Sequence, residues 1–361
     1  MKRKYLLAAF ISIPIFILIS CSSHKRFADN DGNVIDIPVS FTKEYTDIFH
    51  LSYMVDTTFL IPLDSTIKWG YISTIKYRHG NYYLLDSSNQ SIYVVDSLGK
   101  VLHNVNHRGR AKSEYVSLTA YDVNPISGEL VIYDENGDKV ITYTKEGVYK
   151  SSYFLDTSCE LYRDIAVQGN GDIVCCAYDY NGPKARRGVW LADSNGHFKK
   201  QLIEVNDNHR FYVHTASPLL SRMDDSTLVI AGPIGDDNIY HIHSDGSVST
   251  EYHLAYDKVV SEASLKKEAT PSLVNEVYIR HCCMENLDWL IVQTGYESSY
   301  TTLFYDKKTG VPYISNKKTT IDLGGLEHFG VASCSYHRGC DVSYPDNNIN
   351  SNPVLKVYIT K

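Results

Sequence analysis

His241 and His243 alternate along one apolar run and so share one face of a strand, a spacing at which imidazoles can hold a metal ion. A third ligand would have to come from elsewhere and nothing marks one, so histidines satisfied on a polar strand face are the plainer reading. Asp224-Asp225 and Asp236-Asp237-Asn238 offer oxygens to calcium, but neither follows the spacing of a calcium loop, and acidic residues are common in turns. Arg108-Gly109-Arg110 supplies two forked cationic donors suited to an anionic group. The structural alternative is that Arg108 or Arg110 pairs with Glu114 while Tyr115 packs. Nucleophilic catalysis has no foothold, because no Gly-x-Ser-x-Gly turn occurs and scattered Ser, His and Asp mean nothing without geometry. Catalytic residues stay unassigned, and no metal or cofactor is expected.

The cysteines divide by position. Seven follow Cys21, and Cys175-Cys176 and Cys282-Cys283 lie in apolar strand-like runs where they read as small buried hydrophobes. None has the CxxC spacing of zinc or thiol-redox chemistry. Cys334 and Cys340 are expected to form a disulfide, with Gly339 letting the chain fold back in an oxidising compartment. That compartment is read from the N-terminus. Lys2-Arg3-Lys4, an apolar run from Tyr5 to Ile19 and then Ser20-Cys21 form a secretory leader, too short for a comfortable membrane span. Leu18-Ile19-Ser20-Cys21 looks like a bacterial lipobox, cut before Cys21 and acylated on its thiol. The chain then divides into a signal peptide (1–20), a lipidated polar tether (21–31) and a single body (32–361). Ser22 is not the Asp that resembles an inner-membrane retention signal, and acidic surface-export clusters are missing. The expected location is the outer membrane, facing the periplasm.

Removing Lys2, Arg3 and Lys4 leaves 32 basic residues against 42 acidic ones, a net charge of −10. With no basic run, nucleic acid is not an expected partner. The 29 tyrosines and frequent turn residues point to β-structure. Five segments share a strand followed by a tight turn ending in Gly: Ile92 to Gly99, Val140 to Gly147, Val189 to Gly196, Ile239 to Gly246 and Leu303 to Gly310. In all five the Gly stands seven residues after the first apolar residue, where a hairpin needs a positive φ. The Gly-to-Gly intervals are 48, 49, 50 and 64 residues, close to the length of a four-stranded propeller blade. Another apolar run precedes each hairpin, and a sixth, Val354 to Ile359, ends the chain with no hairpin after it. Five hairpins and one unfinished blade predict an all-β, six-bladed β-propeller. Its last blade is expected to be closed by N-terminal strands at Asn33–Val39 and Thr58–Leu63, which removes exposed sheet edges.

In this pattern the chain resembles the six-bladed β-propeller lipoproteins of Bacteroidetes, which are related to NHL-type propellers. The resemblance rests on Ile61-Pro62-Leu63, Ile72 to Ile75, Tyr82 to Asp86, Ser91 to Asp96 and Gly99-Lys100, then on the signature loop Arg108, Gly109, Arg110, Glu114 and Tyr115. Ala111-Lys112-Ser113 replaces the family's usual Gly-Pro-Gly there. The ending Asn352-Pro353-Val354-Leu355 also fits. The resemblance implies fold and location but no general activity.

Two functional readings follow. One is a non-catalytic propeller that binds a glycan, peptide or protein ligand at one end of the ring. The other, by analogy with related propellers, is a metal-dependent hydrolase or lyase (lactonase-like) with its site at the central channel. The long Gly246-to-Gly310 interval is the expected contact surface, carrying Tyr252, His253, Tyr256, Lys266, Lys267 and Glu268, with a short surface helix at Ser261–Lys267 that folding does not need. The membrane partner is lipid, through acylated Cys21. Each buried acyl methylene contributes about 0.8 kcal/mol, so several chains hold firmly. Replacing Cys21 by Ala should therefore move the protein from membrane pellets to the soluble fraction. Retention of the variant in the pellet, with no acyl mass on the wild type, would exclude the anchor.

Overall fold

The runs that the sequence marks as apolar become the second and third strands of successive sheets, and they are buried on both faces. Leu130–Asp134, Ile173–Ala177 and Gly188–Ala192 are buried at every position. Such strands lose the usual alternation because a neighbouring sheet covers each face. The computed structural model describes residues 34–45, 49–137, 139–154, 164–178, 187–206, 208–211, 218–297, 299–315, 333–344 and 351–361. The leader, the tether with Cys21, and Cys159 lie outside these residues.

Six antiparallel sheets form a six-bladed β-propeller. Blades 1 to 5 take the described strands that fall within 72–105, 118–154, 164–203, 221–256 and 279–315 in turn. Each begins with its innermost strand and works outwards. Blade 6 combines Ser333–Ser335, Arg338–Ser343 and Val354–Thr360 with an outer strand from the other end of the chain, Val55–Pro62. Val55–Pro62 runs antiparallel to Val354–Thr360, with Pro62 opposite Val354 and Val55 opposite Thr360. The ring is thus closed by an N-terminal strand, as the repeat arithmetic requires.

The other N-terminal strand goes elsewhere. Ile35–Val39 pairs in parallel with Val248–Tyr256 and becomes a fifth strand of blade 4. Three C-terminal strands already stand in blade 6, so one place was left and Val55–Pro62 fills it. Ile37 and Val39 are buried with Tyr252, Leu254 and Tyr256, and Phe41 stacks on Tyr256 at 5.3 Å. The chain then crosses blade 5, where Phe49 stacks on Phe304 with ring centroids 4.0 Å apart and meets Trp289 edge-on. Residues 35–45 and 49–62 therefore lie along the rims of blades 4, 5 and 6 in turn.

The five repeat glycines all have left-handed φ, from 72° at Gly310 to 89° at Gly196. An aspartate carboxylate folds two of these turns: Asp96 accepts the Leu98 and Lys100 N–H groups, and Asp193 those of Asn195 and His197. Gly99 carries a second constraint, because a Cβ there would lie 2.1 Å from the Pro62 carbonyl oxygen of the closing strand.

The disulfide expectation is corrected by strand register. In backbone register Ser333 pairs with Cys340 and Cys334 with Gly339, so the two cysteines stand one position out of register with each other. Cys340 is a free, buried thiol, pushed up to about 12 by burial. A one-residue offset decides this.

Gly99 and Gly80 separate the two constraints on a turn glycine. Both have φ near 80°, but nothing lies within 4 Å of a Cβ at Gly80. Gly80→Ala should cost about 1 kcal/mol from backbone strain alone. Gly99→Ala should cost about 3 kcal/mol, since the closing strand must also move. Equal denaturation midpoints for the two variants would contradict this placement of Pro62.

Candidate functional site

The innermost strands of all six blades meet on the ring axis, and charged side chains stand there. Lys76 and Arg78 come from Ile72–Arg78, Asp122 from Leu118–Val123, Asp164 from Asp164–Val167 and Arg222 from Ser221–Arg222. A cavity of about 30 Å³ opens among Lys76, Arg78, Asp122, Ala166, Ser221, Arg222, Met284 and Ser335, so every blade contributes to its lining. At that size it holds about two water-sized groups.

Asp122 is the centre of the cluster. Lys76 Nζ stands 3.2 Å from its Oδ1, and Arg222 Nη2 donates to its Oδ2 at 3.0 Å, as does the Val167 N–H at 2.8 Å. Burial opposes its charge, but Lys76, Arg222, Arg78 and the Val167 N–H outweigh burial and hold the carboxyl well below the usual range. Arg222 Nη2 also donates to the Val167 carbonyl at 2.6 Å, which ties blade 4 to blade 3. Asp164 behaves in the opposite way. Burial pushes its carboxyl up, with Asp122 adding to that and Lys76 opposing it, although it accepts N–H groups from Leu220 and Ile165.

Arg78 and Arg222 are 5% and 4% exposed, yet the Nε of each, together with Ser221 Oγ, has no partner among the described residues. Arg78 makes one hydrogen bond there, from Nη1 to the Tyr77 carbonyl. Burial lowers its pKa, only partly offset by Asp122, and Arg222 repels it. The axis therefore holds more cationic charge than its firmly ionised carboxylate neutralises.

This donor set does not suit a metal ion. Guanidinium and ammonium groups supply no lone pairs, and their charge opposes a divalent cation. Among the described residues no three His, Cys, Asp or Glu gather as metal ligands.

His241 and His243 are hydrogen-bonded within blades 4 and 5. His241 Nε2 donates to Glu285 Oε2 at 2.6 Å, and His243 Nε2 to Ser249 Oγ at 3.0 Å. Glu285 is fully buried and its Oε1 also takes Lys307 Nζ at 2.6 Å and the Tyr252 hydroxyl at 3.1 Å. The acidic pairs are spent on turns. Asp224 Oδ1 accepts the Ser226 and Thr227 N–H groups, Asp236 the Tyr240 hydroxyl, and Asp237 both Tyr278 and Arg280.

In the signature loop, Tyr115 is buried and donates its hydroxyl to the Gln90 carbonyl. Glu114 pairs with neither arginine. Its carboxylate folds over Gly109, where a Cβ would meet it at 1.9 Å, and accepts the Ala111 N–H. Arg108 and Arg110 are exposed. Backbone contacts and Tyr143, which donates to the Ser113 carbonyl, fix the loop instead.

The long interval is also not the free surface that its length suggested. Tyr252 and Tyr256 are buried in the outer strand of blade 4. The expected helix is Glu262–Leu265, capped by Ser261, and Leu265 packs with Phe211, Leu273 and Val277. The Leu265 carbonyl accepts the N–H groups of Arg210 and Phe211, so deleting this segment would uncover a small apolar cluster rather than spare the fold. Lys266, Lys267 and Glu268 remain exposed.

None of Lys76, Arg78, Asp122 or Arg222 was singled out from the sequence. The available signal was a charged residue inside an apolar strand, as in Ile75-Lys76-Tyr77-Arg78 and Tyr121-Asp122-Val123.

Comparison with known proteins agrees with the architecture. The profile of the family described as "Domain of unknown function (DUF4934)" matches residues 32–351. The crystal structure of an exported protein from Bacteroides fragilis superposes with a TM-score of 0.69 at 16% identity, covering 90% of this chain and 100% of that one. A member of the DUF4221 family from Bacteroides vulgatus gives 0.50 at 12% identity, covering 85% of this chain and 97% of that one. At such identities the likeness shows the fold alone. No protein of curated function matches the chain.

Glu285 offers a test of the blade 4–blade 5 contact. Burial opposes its charge, but His241 and Lys307 prevail and lower its pKa below the ordinary 4.5. A depressed carboxylate adds stability above its unfolded pKa and loses it as pH falls through the folded value. Glu285→Gln should lower stability by about 3 kcal/mol at pH 7, and its gap from wild type should shrink below about pH 4. A gap that widens on acidification would contradict the pairing.

Proposed function

We propose that this chain, which belongs to the family described as a domain of unknown function (DUF4934), is a lipid-anchored envelope protein whose propeller binds a ligand at its axis without transforming it. The ligand is a glycan, peptide or protein of the periplasm, and the anchor is acylated Cys21 in the outer membrane. The observation that carries this reading is the buried charge on the axis. Replacing a buried ion pair by apolar residues is often neutral or stabilising, so ring stability does not call for charges there. Arginines that keep their protons near neutral pH hold an anionic group well and serve poorly as general acids or bases. That favours binding over catalysis, and the misfit to a metal disfavours the hydrolase or lyase alternative. The lipobox sequence supports export, as does the likeness to an exported Bacteroides protein. No described helix is long and apolar enough to cross a membrane.

Cell-envelope extract, separated into glycan, peptide and protein fractions, should test this with immobilised wild type and Arg78→Met. One fraction should be retained saturably by wild type, released unchanged in mass, and bound at least tenfold more weakly by the variant. Retention indifferent to Arg78, or recovery of a chemically altered product, would contradict the reading.

A further inference from the structure

Arg78, Ser221 and Arg222 line the axial cavity, and each carries a buried polar atom with no partner among the described residues: Arg78 Nε, Arg222 Nε and Ser221 Oγ. Buried polar groups in native proteins are nearly always paired, and charged donors most of all. The three side chains come from blades 1 and 4 and line one small space. We infer that this cavity is a binding site for a small monovalent anion, a chloride-sized inorganic ion or the carboxylate end of a larger molecule.

The charges around the cavity favour such a guest. Lys76, Arg78 and Arg222 face Asp122, whose two oxygens are already taken by Lys76, Arg222 and the Val167 N–H. Asp164 spends its oxygens on the Leu220 and Ile165 N–H groups, and its raised pKa weakens its claim to a cation. Asp225, exposed nearby, accepts from Tyr336. An anion would complete the hydrogen bonds of Arg78 and Arg222 and ease the repulsion between them. The cavity volume, about 30 Å³, is room for about two water-sized groups, which a halide or a formate-sized group fits. The inference rests on the axial site of the proposed function and names the chemistry that site recognises.

The test uses the mature chain carrying Cys21→Ala, in a buffer whose only anion is bulky. Chloride and formate are titrated separately by thermal shift and calorimetry. At least one should raise the melting temperature saturably with 1:1 stoichiometry. Chloride acting alone identifies an inorganic guest, and formate binding or displacing chloride identifies a carboxylate end. Either supports the site. Arg78→Met should weaken the apparent affinity at least tenfold and Ser221→Ala severalfold. Ser221→Ala removes no charge, so it remains interpretable if Arg78→Met does not fold. A response that only follows ionic strength, or is equal in wild type and Ser221→Ala, overturns the inference. Retention of an envelope ligand by the same protein, with no response to either anion, would end this inference while the broader binding role stood.

Discussion

Asp122 stands where inner strands from separate blades come within reach of one another, and its carboxylate is the charge about which the axis is arranged. Lys76 from blade 1 and Arg222 from blade 4 both bind it, and the Val167 N–H of blade 3 does so as well. Three blades thus share one buried anion with blade 2. Breaking such an arrangement from one side leaves uncompensated charge in a low-dielectric interior, which costs far more than the intact cluster contributes. The cluster therefore restricts how the inner strands may be placed more than it stabilises the ring. Arg78 falls outside the pairing, and its uncompensated charge gives the axis its chemical character.

The rim is constrained differently. A propeller must join its last blade to its first, and here Val55–Pro62 bonds to Val354–Thr360. Before reaching that position the chain adds Ile35–Val39 to blade 4 and sets Phe49 against Phe304 of blade 5. Apolar burial and backbone pairing hold the rim, and ion pairs hold the axis and the blade contacts. The second kind appears again where Glu285 meets His241, Lys307 and Tyr252, and where Asp288 gathers Lys308, His337 and Thr360 at the join of blades 5 and 6.

Legibility in the sequence followed how local each constraint is. The strand-to-Gly offset was readable because a positive φ and an apolar strand leave their marks within eight residues, and Gly99, Gly147, Gly196, Gly246 and Gly310 have that geometry. Blade 6 was harder, since Ser333–Ser335 and Arg338–Ser343 are short and polar and show no apolar run. Ile35–Val39 looked like any free strand, and only the occupancy of blade 6 sends it to blade 4. The Cys334–Cys340 pairing depended on a register that spacing does not encode. The axial residues were least visible of all. Each is one charge in an otherwise ordinary strand, and Asp122 and Arg222 lie 100 positions apart, so their meeting exists only once the ring has closed.

The most direct measurement is anomalous diffraction from crystals of the propeller soaked in bromide. A single strong bromide peak on the ring axis, within hydrogen-bond distance of the Arg78 and Arg222 guanidinium groups, is what this arrangement of charge predicts. An axis that carries only ordered water between those two groups, with bromide confined to the outer surface, would contradict it.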